Sequence, residues 1–336
     1  MSVRLAFCIP TADRAGDLDR CLWSIYAEAA HHGVLDDLEI CVADNCSADD
    51  TPALCARWAS RFPHFRTHRQ PQRLDFVSNL LASTTLASAA HLWLFGDDDS
   101  LIPGTLPLVF EALGGDPDFV HAAAITFSRL SGYAGFVGLA GGGERPVAPL
   151  KVSDLHQSDC GYITCLLFRR ERWLHSPGLA SRHPREITAQ IQVVYECLAE
   201  GRCLAIRTPC TLIDRTPSRT AAWDGHWTVV HGYEFLKARQ HRFPMKPADG
   251  SIRYHRRAFV QCFGVLSLLR EHYEGLYEKA ASFRPPLALD AWTLRFFRIA
   301  FASSAVRGFL ISLLRRCSGK FRSRLAVLSE LAKQPL

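Results

Sequence analysis

Short hydrophobic runs alternate with segments of helical periodicity over the first 124 residues. The runs have the length of buried strands and cover residues 3–9, 38–43, 65–68, 91–95 and 118–123. Between them apolar residues recur every three or four positions, which predicts helices over residues 17–30, 54–62, 75–88 and 103–113. This alternation predicts an α/β fold with a mostly parallel central sheet and helices on both faces.

The pattern is less regular after residue 124. It predicts strands at residues 162–168, 203–206 and 211–213, a helix over 185–199, and a Gly-rich hairpin or mobile loop over 131–149. Residues 214–250 are irregular, and from 251 the pattern is helical again, broken at Pro285–Pro286. We therefore predict a globular domain over 1–250, with halves 1–124 and 125–250, and a helical C-terminal appendage over 251–336.

Polar residues gather where three of the predicted strands end. Residues 11–14 follow the first strand, Asp44 ends the second, and residues 97–99 follow the fourth. In an open α/β sheet, ligands bind outside the carboxyl ends of the strands. The three polar strand ends therefore predict one binding site along that edge.

The strongest chemical signal is the acidic triplet Asp97-Asp98-Asp99, which directly follows a hydrophobic run. Adjacent carboxylates repel each other unless a cation lies between them. Mg²⁺ or Mn²⁺ binds oxygen ligands, often one or two carboxylates together with substrate phosphates. The triplet therefore predicts a metal–diphosphate site, and the alternative is a solvated turn that caps the next helix.

The net charge of +6 is not spread evenly along the chain. Residues 284–324 hold nine Lys or Arg and one acid, which leaves the rest of the chain at −2. This distribution argues against a nucleic-acid-binding protein. The twelve cysteines include no CxxC pair, and the N-terminus lacks the features of a signal peptide. We therefore expect a reduced, cytoplasmic protein whose cysteines pack in the core.

Three motifs occur in a characteristic order: Ile9–Arg14 (IPTADR), Ala43–Thr51 (ADNCSADDT) and Gly96–Asp99 (GDDD). Together they resemble an inverting family 2 glycosyltransferase of the GT-A fold, over about residues 1–215. The segment Leu74–Asn79 is most similar to the abequosyltransferase-like branch of O-antigen enzymes. The resemblance implies a nucleotide-binding half over 1–124 and an acceptor half over 125–250.

On the donor side, the resemblance implies that Thr11 contacts the nucleoside and that Asp44 accepts hydrogen bonds from the base. Arg14 would reach a phosphate or hold Asp44 in place, or it makes an ordinary surface ion pair. Asp75 would lie near the base, or it caps the following helix. The alternative for Asp44 is an Asx-turn with Ser47.

The resemblance also implies that Asp97 faces the ribose and, with Asp99, holds Mg²⁺ or Mn²⁺, while Asp98 supports them. A later histidine sometimes completes such a metal site, and His226 is the candidate, with Asp224 beside it. The alternative for His226 is a histidine packed against tryptophan.

An inverting transferase also needs a general base for the acceptor hydroxyl. The resemblance implies that an acid at the start of a helix in the second half of the domain serves as this base. The matching position here holds Glu186, with His183 as a substitute. The alternative for Glu186 is a first-turn acid favoured by the helix dipole.

The resemblance implies transfer of a hexose or deoxyhexose from a nucleotide-diphosphate sugar to a glycan or lipid-linked acceptor, in bacterial surface polysaccharide synthesis. The longest uncharged run in the basic tail, 299–306, is too short to cross a bilayer. The tail would lie on the inner face of the membrane, or pack on the domain with a solvated basic face. Rival functions are a nucleotidyltransferase and a non-catalytic module that binds nucleotide sugar or glycan.

Overall fold

The computed structural model describes residues 3–127, 134–138, 145–151, 154, 160–180, 182 and 189–214. The predicted C-terminal appendage and the boundary at residue 250 lie outside these residues. The first part alternates strands and helices: β1 (Leu5–Thr11), α1 (Ala15–His32), β2 (Leu38–Asp44), α2 (Thr51–Ala59), β3 (Phe65–Arg69), α3 (Phe76–Leu86), β4 (His91–Leu94), β5 (Ser100–Leu101), α4 (Thr105–Leu113) and β6 (Phe119–Phe127).

The second part adds short strands and helices. These are β7 (Ala134–Val137), β8 (Val147–Pro149), β9 (Leu166–Arg169), α5 (Arg170–Leu174), α6 (Pro177–Ala180), α7 (Ala189–Glu200) and β10 (Cys203–Asp214). Short 3₁₀ turns precede β2 at Leu35–Asp37 and β9 at Ile163–Cys165.

Ten described strands form one mixed sheet in the order β3-β2-β1-β4-β9-β6-β10-β5, with β7 paired to β6 and β8 to β10. Strands β1, β2, β3 and β4 pair in parallel, and β6 is parallel to β10. Because β9 is antiparallel to both β4 and β6, all six main strands run in one direction. β1 has β2 on one side and β4 on the other, so a topological switch point lies at β1.

Helices cover both faces of this sheet, as predicted. One hydrophobic cluster packs α1, α2 and α4 on one face, around Phe7 and Trp93. A second cluster packs α3 and α7 on the other face, around Phe119 and Phe168. Every residue of β1 and β2 is buried, which explains why these strands read as continuous apolar runs.

Local signals set several boundaries of the helices. Helix α1 ends at Gly33, which has a φ of 66°, the left-handed conformation that glycine adopts without steric cost. Asp75 is the N-cap of α3, because its side chain accepts a hydrogen bond from the amide of Ser78. The capping alternative for Asp75 is therefore observed.

The second part differs from the prediction in detail. The two strands expected at 203–206 and 211–213 are one strand, β10, whose register with β6 shifts between Ile206 and Thr211. Pro209 lies in that interval, and a proline lacks the amide that a strand ladder needs. The strand expected at 162–168 begins as a 3₁₀ turn, and α5 and α6 were not predicted.

The Gly-rich segment does not fold as a hairpin with its own two strands paired, because β7 pairs with β6 and β8 with β10. All ten cysteines in the described ranges are free thiols, and nine of them are buried, as expected of core residues. None of the described helices combines the length and hydrophobicity of a membrane span.

Candidate functional site

The predicted polar strand ends meet at the carboxyl edge of the sheet. Thr11 and Asp44 end β1 and β2 and lie opposite each other in the parallel register. Chain leaving β4 stays beside β1, because the amide of Phe95 donates to the carbonyl of Cys8 at 3.0 Å. The acidic triplet therefore emerges next to the end of β1, at the switch point of the sheet.

The first two carboxylates of the triplet are bound by the loop after β1. Thr11 Oγ1 donates to Asp97 Oδ2 at 2.7 Å. Arg14 Nη1 lies 3.0 Å from both Asp97 Oδ1 and Asp98 Oδ2. Arg14 thus forms two ion pairs with the triplet, and its described contacts do not include Asp44.

The third carboxylate is bound by residues from the second part of the chain. Thr164 Oγ1 donates to Asp99 Oδ2, and the backbone amide of Asp214 donates to Asp99 Oδ1 at 3.1 Å. The same Thr164 hydroxyl accepts from the amide of Gly96 at 2.9 Å. Thr164 was not among the predicted site residues, because it lies outside the three motifs, in the strand predicted over residues 162–168.

The triplet carries more negative charge than its surroundings neutralise. Asp97 and Asp99 are each only 5% exposed, and the ion pairs of the triplet in the described residues are those of Arg14 with Asp97 and Asp98. Burial raises the pKa of Asp97 to about 6, against the opposing effect of Arg14. Burial and the neighbouring Asp98 carboxylate raise the pKa of Asp99 to about 8. Burial also raises the pKa of Asp98. A bound cation would relieve this repulsion.

Asp44 presents an acceptor at the same edge. Its Oδ1 accepts from the amide of Ser47 at 2.9 Å, which is the Asx-turn named as the alternative role of Asp44. Its Oδ2 is buried and accepts no hydrogen bond from any described residue, although Arg69 Nε lies 3.6 Å away. A buried carboxylate oxygen without a hydrogen-bond donor is costly, so this atom is well suited to a ligand N–H group.

Side-chain contacts join the loops around Asp44. Asn45 Oδ1 accepts from the amide of Leu74 at 2.7 Å, and Asn45 Nδ2 donates to the Leu74 carbonyl at 3.0 Å. Arg73 pairs with Asp13, whose φ of 54° is in the left-handed region, and Asp13 Oδ1 accepts from the amide of Ala48 at 2.7 Å. The hydrogen bonds from Ala48 and Arg73 lower the pKa of Asp13. The loops that follow β1, β2 and β3 are thus joined by these contacts, and together they form a preorganised rim of the site.

The structure brings Thr11, Arg14, Asp97 and Asp98 into direct contact, with Asp99 in the same triplet and Asp44 at the neighbouring strand end. Asp75 is at the start of α3, next to the Leu74 segment that Asn45 binds. His183, Glu186 and His226 lie outside the described residues.

In the described ranges, no three His, Cys, Asp or Glu side chains form a cluster that could chelate a metal by themselves. The triplet still fits a hard cation that takes most of its ligands from a bound diphosphate. Each oxygen of Asp99 accepts a single described hydrogen bond, which leaves a lone pair for a metal.

Comparison with known proteins places this site in a family context. Residues 6–139 match the model of the family described as glycosyl transferase family 2. Over 115 residues the chain is 32% identical to the abequosyltransferase RfbV of Salmonella typhimurium. That match spans 34% of this chain and 34% of the relative, so about a third of each protein is compared.

Two solved structures have a similar fold. S. aureus TarS 1–349 in complex with UDP-GlcNAc matches with a TM-score of 0.54 and 10% identity, over 81% of this chain and 73% of TarS. The mannosyltransferase PcManGT from Pyrobaculum calidifontis, in complex with GDP-Man and Mn²⁺, matches with a TM-score of 0.51 and 15% identity, over 98% of this chain and 86% of that one. The GT-A-like α/β fold expected from the motifs is confirmed.

Proposed function

Because residues 6–139 match the model of glycosyl transferase family 2, we propose that this protein transfers a sugar from a nucleoside-diphosphate-sugar donor to an acceptor hydroxyl. The observation that carries the proposal is the acidic triplet at the switch point, which Arg14 neutralises only in part. At the neighbouring strand end, Asp44 Oδ2 is a buried acceptor without a hydrogen-bond donor among the described residues. The two features match the two ends of such a donor: a base with N–H groups and a diphosphate that arrives with a cation.

The donor would lie across the carboxyl ends of β1, β2 and β4. Asp44 Oδ2 would accept a hydrogen bond from an N–H group of the base, since it is a buried acceptor without a donor among the described residues. Thr11 and Asp97 would meet the nucleoside, with Asp97 on the ribose. Arg14 would adjoin the phosphates, Asp98 would support the neighbouring carboxylates of the triplet, and Asp75 would lie on the base side of the site.

Asp99, assisted by Asp97, would hold Mg²⁺ or Mn²⁺ in this proposal, with His226 as a candidate further ligand. The support is electrostatic: burial and mutual repulsion raise the pKa values of both carboxylates, and a divalent cation would stabilise their ionised forms. When bound, the cation supplies charge that offsets the departing nucleoside diphosphate. The protein's own contribution is to fix the carboxylates and to exclude water from them.

The acceptor hydroxyl must lose a proton during an inverting transfer. Glu186, or His183 in its place, would accept that proton. In the sequence, both residues come shortly before Ala189, the first described residue of α7. We propose transfer with inversion on this basis, and Glu186→Gln should abolish transfer while leaving donor binding intact.

The chemistry of the relatives suggests the biological context. The partly matching protein from Salmonella is an abequosyltransferase, and the solved structures hold UDP-GlcNAc or GDP-Man. We propose a hexosyl or deoxyhexosyl transfer onto a glycan or lipid-linked acceptor in surface polysaccharide synthesis. The basic tail would bring the enzyme to an anionic membrane surface on the cytoplasmic side.

The test is a thermal-shift panel of UDP, GDP, CDP and dTDP, each with Mn²⁺ and with EDTA. A ligand at about a hundredfold over its Kd stabilises a protein by about 2.7 kcal/mol. We expect one nucleotide to raise the melting temperature in the presence of Mn²⁺ and to do so much less in EDTA. The matching nucleotide sugar should then be turned over, with slow hydrolysis when no acceptor is present.

Asp99→Asn should abolish the Mn²⁺-dependent part of the shift and the turnover. The matched control is Asp36→Asn, an exposed acid in the turn before β2, at the opposite edge of the sheet. Nucleotide binding without turnover of any donor would favour the non-catalytic binding module. No shift with any nucleotide would overturn the proposal.

A further inference from the structure

Thr164 joins the strand that carries the acidic triplet to the second part of the chain. Its backbone carbonyl accepts from Trp93 Nε1 at 2.9 Å, and Trp93 is a buried residue of β4. Its hydroxyl accepts from the amide of Gly96 and donates to Asp99 Oδ2. β4 therefore positions the Thr164 backbone, and the Thr164 side chain in turn positions the segment that follows β4.

These contacts fix the direction of the Asp99 carboxylate. A hydroxyl has a single proton to donate, and here it goes to Asp99. The other carboxylate oxygen is held by the backbone amide of Asp214 at 3.1 Å. With one described donor on each oxygen, from the buried Thr164 and the half-buried Asp214, the carboxylate has little freedom to rotate.

We propose that Thr164 is a positioning residue, whose hydroxyl holds Asp99 in the orientation that binds the metal ion. The inference rests on the proposed function, since it takes Asp99 as a metal ligand. In this role Thr164 acts on the metal ion through Asp99, which its hydroxyl contacts directly. It lies 65 residues from Asp99 in the sequence and outside all three motifs.

The competing explanation is that the hydroxyl only satisfies buried polar groups in the core, since Thr164 is 1% exposed. The two explanations differ in what a loss of the hydroxyl changes. A purely structural hydroxyl affects the melting temperature alone. A positioning hydroxyl affects metal affinity, because removing the hydrogen-bond partner of a metal ligand typically costs about 10–100-fold in affinity.

The test measures Mn²⁺ binding by the electron paramagnetic resonance signal of free Mn²⁺, with the protein saturated by the nucleoside diphosphate that gives the largest thermal shift. Thr164→Val removes the hydroxyl and keeps the shape. Thr164→Ser keeps the hydroxyl. The matched control is Thr105→Val, because Thr105 is also 1% exposed and its hydroxyl donates to the carbonyl of Cys210 at 2.8 Å and not to a residue of the triplet.

We expect Thr164→Val to weaken Mn²⁺ binding by at least about tenfold, and Thr164→Ser and Thr105→Val to remain within about threefold of the wild type. Equal Mn²⁺ affinity in Thr164→Val and the wild type would overturn the inference. Asp99→Asn separates this failure from that of the proposed function. Loss of Mn²⁺ binding in Asp99→Asn alone refutes only the role of Thr164, whereas unchanged binding in Asp99→Asn refutes the metal site itself.

Discussion

Gly96 is the residue at which a single methyl group should disable the site without unfolding the protein. Gly96 does not adopt a left-handed conformation, so alanine fits its backbone. A Cβ at this position would lie 2.6 Å from Asp99 Oδ2 and 3.2 Å from Asp98 Oδ1. Gly96→Ala therefore tests the acidic triplet through the space it occupies and leaves its charges unchanged.

The size of the effect follows from these distances. Ordinary contact begins at 3.4 Å, so the Asp99 carboxylate must move by about 0.8 Å. Because this carboxylate is the end of a side chain, it can move, and the cost in folding free energy stays within about 1–3 kcal/mol. The movement breaks its alignment with Thr164. A misplacement of about 1 Å at a reacting centre can cost about a hundredfold in rate.

We expect Gly96→Ala to lower donor turnover by about a hundredfold and to weaken Mn²⁺ binding, while the far-ultraviolet circular dichroism spectrum stays unchanged. The matched control is Gly16→Ala in the first turn of α1. A Cβ there meets no atom within 4 Å, so turnover should be unaffected. Turnover in Gly96→Ala within about threefold of the wild type would refute the reasoning, since the carboxylate would then tolerate the displacement.

Three further predictions concern charge and the rim. First, the folded-state pKa values of Asp99, about 8, and Asp97, about 6, exceed the unfolded value, so in EDTA their contribution to stability is present below about pH 4 and is lost as the pH rises towards 8. The melting temperature of Asp99→Asn should therefore fall less over pH 5–8 than that of the wild type. Parallel curves of melting temperature against pH for the two proteins would contradict this. Second, Arg14→Ala should lower the free energy of unfolding in EDTA by about 2–3 kcal/mol at pH 8, as measured by urea denaturation, because the buried Asp97 and the partly exposed Asp98 lose their counter-charge. Added Mn²⁺ should restore part of the loss, and an unchanged urea midpoint would refute the role of the ion pairs. Third, Asn45→Ala should weaken nucleotide binding in calorimetry by about tenfold, since it removes both hydrogen bonds to Leu74; unchanged affinity would show that the rim is not preorganised by Asn45.

The first part of the fold is predictable because its signals are local. The buried strands β1, β2 and β4 are continuous apolar runs, and the polar residues at their ends share an edge in any parallel arrangement. Thr11, Asp44 and Asp97 could therefore be placed together from the sequence. The ion pair of Asp44 with Arg69 follows from the same arrangement, because parallel pairing of β2 with β3 sets these two residues opposite each other.

The partners of Arg14 and Asp99 depend on information that the sequence pattern does not carry. The loop after β1 borders both β2 and β4, so spacing alone does not decide whether Arg14 turns to Asp44 or to the triplet. Thr164 reaches Asp99 only because β9 inserts antiparallel between β4 and β6. The apolar pattern of a four-residue strand that follows a 3₁₀ turn does not show which strands it lies between in the sheet.

The contacts of Asp99 also set the order in which the site can form as the chain folds. Asp214, whose amide binds Asp99 Oδ1, is 115 residues further along the chain. During synthesis, the first strands and helices can pair through local contacts long before that residue leaves the ribosome. Asp99 then has neither of its two donors. A nascent or truncated chain that ends before Thr164 would thus carry all three motifs and lack both donors that orient Asp99, so metal binding would report that the second part of the chain has been added.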